Sequence, residues 1–250
     1  APQAHRDWGA QPFERMCNWE FDGFFRIGMH HRNERNALIQ HGTMTMVRRR
    51  ALEEVGGWSE WCICEDTELG LRLIEKGYDT RYIDHILGRG LTPSGFAAIK
   101  SQRFRWAFGA MQILKAHLPH MIGRSNLNLA QRYHFLTGWF AWLGDALQLV
   151  FAFGSLMWTL GILLFPKAFG LPVVSLALPI FGFMIFKAGL GPILYRRTMD
   201  CPWKDILGAS ILSVGLAHAI ARGVFAGLVK KKGVFVVTPK GWRGGGALAF

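Results

Sequence analysis

The residues best suited to chemistry are an acidic pair, Glu65-Asp66, and a later cluster, Gln102-Arg103-Phe104-Arg105-Trp106. A carboxylate accepts protons. An arginine presents a planar fork that matches phosphate oxygens. A tryptophan face stacks on the apolar face of a sugar as well as on other side chains. Together these groups suit a site that deprotonates a hydroxyl beside a diphosphate leaving group. Plainer readings stand beside that one. Asp66 could serve only to cap the helix that follows it. The later cluster could be an ordinary amphipathic helix with an exposed Arg and a buried Trp.

The surrounding patterns say what must hold these groups. From 94 to 114, Phe96, Ile99, Phe104, Phe108, Met111 and Leu114 recur at mostly helical spacing, with Ser94 as the predicted cap. On that helix Gln102, Arg105 and Trp106 fall at i, i+3 and i+4 and share a face. Thr67 to Lys76 reads as a helix that buries Leu69, Leu71, Leu73 and Ile74. Pro12 to Met29 reads as an aromatic-rich helix, His30 to Asn36 as a polar turn, and Arg48 to Val55 as a short helix ended by Gly56-Gly57. Leu38 to Val47 and Asp79 to Ile86 read as strands. Gly42, inside the first of these, would let the backbone approach a ligand closely, or would simply mark a tight bend.

In this order the motifs resemble the processive family-2 glycosyltransferases, the group of cellulose, chitin and hyaluronan synthases. The resemblance rests on Glu65-Asp66, on Gln102-x-x-Arg105-Trp106, and on Gln3-Ala4-His5 as a degenerate Gln-Thr-Pro-His segment. It also rests on His41-Gly42-Thr43, Val47-Arg48-Arg49 and Gly56-Gly57-Trp58 at the family's spacing. Near the end, Phe235-Val236-Val237-Thr238-Pro239-Lys240 matches the family's Phe-x-Val-Thr-x-Lys gating loop. Cys64 stands where the family usually has Thr, but the carboxylates are kept.

The resemblance implies an α/β fold, the C-terminal half of a GT-A-type domain over residues 1–131. An α-helical transmembrane region would follow over 132–229, then a cytoplasmic gating loop and tail over 230–250. It implies inverting transfer from a UDP-sugar donor to a polysaccharide acceptor. Asp66 would be the general base, and Glu65 would raise its pKa or position its neighbours. Gln102 and Arg105 would bind the diphosphate, Trp106 would stack under the acceptor, and Gly42 would line the substrate. Phe235, Thr238 and Lys240 would close over the nucleotide. The family's metal-binding Asp-x-Asp lies upstream of its Gln-Thr-Pro-His segment, and only Gln3 onward matches here. Mg²⁺ or Mn²⁺ is therefore expected in a longer protein with its main ligands elsewhere, and this piece alone is expected to be inactive. Trp19 to Phe25 and Trp61 to Cys64 look more like bacterial β-glucan synthases, which favours UDP-glucose over UDP-N-acetylglucosamine.

Composition agrees with a membrane partner. Half the residues are hydrophobic and the net charge is +12. The late basic clusters abut apolar runs, which fits the cytoplasmic flanks of membrane helices and argues against nucleic acid. Four cysteines without framework spacing suggest a reducing compartment, and Cys62-x-Cys64 has no second ligand pair near it in sequence, so no metal site is assigned. Phe135 to Phe165 and Leu171 to Leu194 are long enough to span a bilayer. Arg132 and Arg196-Arg197 then lie inside, with Pro166-Lys167 outside. Ile206 to Val229 reads as an interfacial or re-entrant helix, which keeps Lys230-Lys231-Lys232 and the loop after it on the same side. A bacterial inner membrane is the implied location. Two other classes fit less well: a transporter whose charges line a pore, and a non-catalytic scaffold.

Overall fold

A computed structural model of the chain describes residues 1–233 apart from 7, 10, 172, 173 and 231. Its centre is a helix of 27 residues, α5 (Phe96–Ile122); the earlier elements are β1 (Ala4–His5), α1 (Pro12–Gly23), α2 (Met29–Glu34), α3 (Arg49–Glu54), α4 (Glu65–Glu75) and β2 (Arg89–Gly90). After it come α6 (Leu129–Leu164), α7 (Val174–Met199) and α8 (Trp203–Val229). Ile99, Ala107, Phe108, Met111, Ile113 and Leu114 of α5 are buried, on several sides of the helix at once. Such all-round burial marks a helix enclosed by others. Its neighbours are α1, α4, α6 and α8.

Helix α8 lies closest. Gly223 and Gly227 face the α5 backbone so tightly that a Cβ on them would sit 2.5 Å from the Phe104 carbonyl oxygen and 2.7 Å from that of Phe108. Small residues four apart let two helices approach in this way. The sequence reading made this segment apolar without seeing that one stripe of it is the complement of α5. Ile206, Leu212, Leu216, Ile220 and Val224 extend the packed face. Leu207, Ile211, Val214 and Phe225 remain exposed on other faces.

Helix α6 is two things in sequence. Asn128 caps it: its side chain accepts from the Gln131 amide, and the Gln131 side chain returns the bond to the Asn128 amide. Phe135, Trp139 and Ala146 are buried. Beyond Ala146 the helix runs bare, with Phe151, Phe153, Leu156, Trp158, Leu163 and Leu164 all exposed. A helix of 36 residues is about 54 Å long, and the hydrocarbon core of a bilayer is about 30 Å thick. The packed part and the bare part together account for that excess. Both α6 and α8 are long and apolar enough to cross a membrane.

Several local expectations need correction. The described residues are mostly helical, and the sheet among them is a single parallel pair, Ala4 with Arg89 and His5 with Gly90. Residues 38–47 and 79–86 form no ladder. In the second stretch, side chains take over the backbone bonding: Asn36 Oδ1 accepts from the Thr80 amide at 2.7 Å, and Asn33 Oδ1 from the Tyr82 amide at 2.7 Å. His30 to Glu34 is helical, joined to α1 through a π-helical turn at Phe24–Gly28. The turn comes at Asn36, where φ is +48°. Gly95 rather than Ser94 stands at the start of α5, which runs on through Pro119 to Ile122. The helices at 49–54 and 65–75 fall where the periodicity puts them, and Leu69, Leu71, Leu73 and Ile74 are buried as predicted.

The close approach of α8 to α5 gives a direct test. Gly227→Val should cost about 1–3 kcal/mol through overpacking and lower the thermal unfolding midpoint in detergent by several degrees. Gly215→Ala on the same helix meets only Phe96 at 3.6 Å and should not lower the midpoint, since Ala favours a helix interior over Gly.

Candidate active site

The site is built where the N-terminus of α4 docks on α5. Cys64 precedes α4, and its side chain sits against Gly109, where any Cβ would overlap the sulfur. The thiol also donates to the Arg105 carbonyl at 3.8 Å. Gln112 holds the strand of chain leading to Cys64 by both ends of its amide. Its Oε1 accepts from the Ile63 amide at 3.0 Å, and its Nε2 donates to the Trp61 carbonyl at 3.1 Å. Burial pushes the Cys64 thiol well above its ordinary range, with the Asp66 charge adding to it. Cys62 is likewise pushed up to about 12 by burial. Both thiols are packed against their neighbours and protonated at neutral pH.

Asp66 lies in the first turn of α4 and is held from two directions. Its Oδ1 accepts from the Thr67 amide at 2.7 Å, and the Gly42 amide donates to the same carboxylate. A Cβ at Gly42 would sit 3.3 Å from Asp66 Oδ2, so glycine there keeps the approach open. The Thr67 hydroxyl donates to the Gln40 carbonyl at 3.0 Å and fixes the 40–42 segment along α4. Asp66 thus satisfies a first-turn amide and is also bound by a segment distant in sequence. Burial raises its pKa above the ordinary 3.8, and the bonds from Thr67 and Gly42 oppose that rise. Burial, rather than the neighbouring Glu65, is the leading cause. Glu65 acts instead on Arg105: burial lowers the Arg105 pKa, and the Cys64 and Glu65 charges work against that.

Gln102 and Arg105 are both buried on α5. Among the described residues the Gln102 amide oxygen has no hydrogen-bond partner, which an isolated amphipathic helix would not require. Trp106 is partly exposed. The Arg103 guanidinium lies over its ring at 4.3 Å, and Phe21 meets it edge-on at 5.7 Å. Arg103 also pairs with Glu20 and lies over Phe21 at 5.0 Å, so it ties α1 to α5. The sequence reading passed over Arg103 and Gln112. Arg103 stands three residues before Trp106, on the same helical face, and that spacing was the available signal. Gln112 carried none, because its partners are about fifty residues away. Phe235, Thr238 and Lys240 lie outside the described residues.

A catalytic Mg²⁺ or Mn²⁺ does not fit the residues at hand. Asp66 is engaged by backbone amides, and among the described residues no third His, Cys, Asp or Glu converges with it.

The double hold of Gln112 predicts a measurable loss. Gln112→Ala leaves the Ile63 amide and the Trp61 carbonyl without their partner, at a cost of about 1–3 kcal/mol. Denaturant unfolding of the chain in detergent should show it as a lower midpoint at unchanged slope.

Residues 17–189 match the family model described as "Glycosyl transferase family group 2". The chain is 38% identical to the cellulose synthase 1 catalytic subunit (UDP-forming) of Komagataeibacter xylinus over 96 residues, 38% of this chain and 13% of the relative. It is 27% identical to a cellulose synthase catalytic subunit (UDP-forming) of Komagataeibacter sucrofermentans over 201 residues, 80% of this chain and 25% of the relative. It is 31% identical to glucomannan 4-beta-mannosyltransferase 7 of Arabidopsis thaliana over 100 residues, 40% of this chain and 18% of the relative. The matched regions cover a quarter or less of each of these three proteins. With more than half of its length matched by the family model, the chain belongs to glycosyl transferase family group 2, among the cellulose synthase-like members.

Proposed function

We propose that this chain supplies the acceptor-side half of a processive, inverting glycosyltransferase that moves glucose from UDP-glucose onto a β-glucan. The observation that carries the reading is the docking of Cys64, two residues before Asp66, on the helix of Gln102 and Arg105. A carboxylate with a pKa raised by burial is a better proton acceptor than a free aspartate. Asp66 takes the proton of the acceptor hydroxyl. The hydroxyl oxygen then bonds to the anomeric carbon of the donor, and the bond from that carbon to the diphosphate breaks. The electron pair leaves on the diphosphate, where the Arg105 guanidinium and the Gln102 amide N–H groups stabilise the charge. The unpartnered Gln102 oxygen suits a sugar hydroxyl donor. Trp106 supplies a stacking surface for the acceptor ring, steadied by Arg103 and Phe21.

In the same reading residues 1–131 are part of a GT-A-type α/β domain, and the 230–250 segment, with Phe235, Thr238 and Lys240, closes over the nucleotide. Lipid surrounds the bare part of α6 and α7, which cross the bilayer. Helix α8 lies at the cytoplasmic interface, with its packed face on α5 and its apolar outer face on acyl chains. The protein is then a multi-pass protein of the bacterial inner membrane. The match to a mannosyltransferase favours a second reading, in which the same site transfers mannose.

Membranes containing the full-length protein would be given radiolabelled UDP-glucose, UDP-N-acetylglucosamine or nucleotide-activated mannose. Glucose polymer from the wild type and none from Asp66→Asn is the expected result. Polymer from both would remove Asp66 as base, and mannose polymer alone would select the second reading. The acid limb provides a further check. A base with a raised pKa is protonated as pH falls through that value, so kcat/KM should fall tenfold per pH unit below a midpoint higher than 3.8.

A further inference from the structure

Away from Asp66, at the other end of α4 and about 14 Å along its axis, Glu75 meets two histidines of α5. His117 and His120 stand at i and i+3 and share a face. Glu75 Oε2 is 3.8 Å from His117 Nδ1, and Glu75 Oε1 is 3.6 Å from His120 Nδ1. Neither distance is a hydrogen bond. The ligand-capable atoms of all three residues lie within 4.8 Å of one another.

The second nitrogen of His117 is already committed. His117 Nε2 is 3.0 Å from Glu68 Oε1. Glu68 in turn accepts from Arg72 on both carboxylate oxygens, at 2.9 and 2.8 Å. With Nε2 engaged by Glu68, Nδ1 is the His117 nitrogen that faces Glu75. The His117 side chain is 9% exposed. Its Nδ1 and Glu75 Oε1 are buried without a hydrogen-bond partner among the described residues. Buried polar atoms that face each other beyond hydrogen-bond distance are unfavourable unless a further group lies between them, and a cation would supply one. A tetrahedral metal with bonds of about 2.0–2.1 Å separates its ligand atoms by about 3.3 Å, so the three residues would draw in from separations of 3.6 Å to at most 4.8 Å. His120, 61% exposed, is able to turn its ring to make up the difference.

We propose that Glu75, His117 and His120 form a binding site for one divalent transition-metal ion, of which Zn²⁺ fits best, with a fourth position left to water. Two imidazoles and a carboxylate, with no thiolate, suit that ion and a four-coordinate geometry. Glu68 is the outer partner that orients His117, the arrangement commonly found behind metal-bound histidines. The ion joins the C-terminal end of α4 to α5. It thereby fixes the helix of Asp66 against the helix of Arg105 by a second bond, remote from the Cys64–Gly109 contact. The site stands whether or not the chain transfers sugar.

The test uses the chain in detergent with its affinity tag removed, stripped of metal and titrated with ZnCl₂ by calorimetry. One equivalent should bind and raise the thermal midpoint. Bound Co²⁺ should give the visible absorption of a four-coordinate ion. His120→Ala, at a surface position that leaves the fold intact, should weaken Zn²⁺ by about tenfold or more and remove the midpoint shift. Failure of the wild type to take up one equivalent would overturn the site. So would unchanged affinity in His120→Ala, which would assign the metal to the cysteines or to other histidines.

Discussion

The rest of the site depends on how closely the start of α4 can approach α5. That approach is set by Gly109, which leaves no atom where Cys64 needs to be. With Cys64 seated, the first turn of α4 faces the same region as Gln102 and Arg105. Gln112 then holds the incoming chain by two bonds that neither water nor a shorter side chain could supply in the same geometry. A larger residue at 109 would push the helices apart and carry Asp66 with them. Packing of backbone against a small residue is stiff in a way that a surface salt bridge is not, because close-packed interiors transmit displacement.

Charge is distributed along α4 in keeping with that frame. Asp66 at its start is enclosed and bound by amides. In the middle, Glu68 is nearly inaccessible, and burial would by itself raise its pKa. Hydrogen bonds from His117, Ser59 and Arg72 outweigh that and leave it lowered. Arg72 also reaches the Val55 and Gly57 carbonyls and the Ser59 hydroxyl, so one guanidinium fastens the 55–59 loop to the helix. The same helix therefore carries a carboxylate whose pKa burial raises and another whose pKa pairing lowers. The difference lies in the partners each finds, not in depth alone.

The outer part of the molecule follows from solvent rather than from packing. In α6 the first turns sit against the protein and the later ones expose phenylalanine, leucine and tryptophan on every side. A surface of that length and composition suits hydrocarbon better than water. Helix α8 is intermediate: a stripe of glycine, alanine and leucine packs on α5, while bulkier residues point away. Both helices, of 36 and 27 residues, are long and apolar enough to span a bilayer. Their surroundings differ because α8 has small residues where α5 needs to pass.

The sequence by itself determined the helices at 49–54 and 65–75, the buried leucines of α4, and the shared face of Gln102, Arg105 and Trp106. These depend on 3.6-residue periodicity, which is local. It also determined the family, because the acidic pair, the Gln-x-x-Arg-Trp set and the flanking motifs are legible in their order. Only the tertiary structure decided that 79–82 is bonded by Asn33 and Asn36 rather than by a strand, that Arg103 pairs with Glu20, that Gln112 spans to Trp61, and that Glu75 meets His117 and His120. Each of these joins residues forty or more positions apart, or replaces a ladder by a side chain. Local propensity holds no record of such partners; they exist once the close contacts at Gly109, Gly223 and Gly227 have fixed where the helices lie.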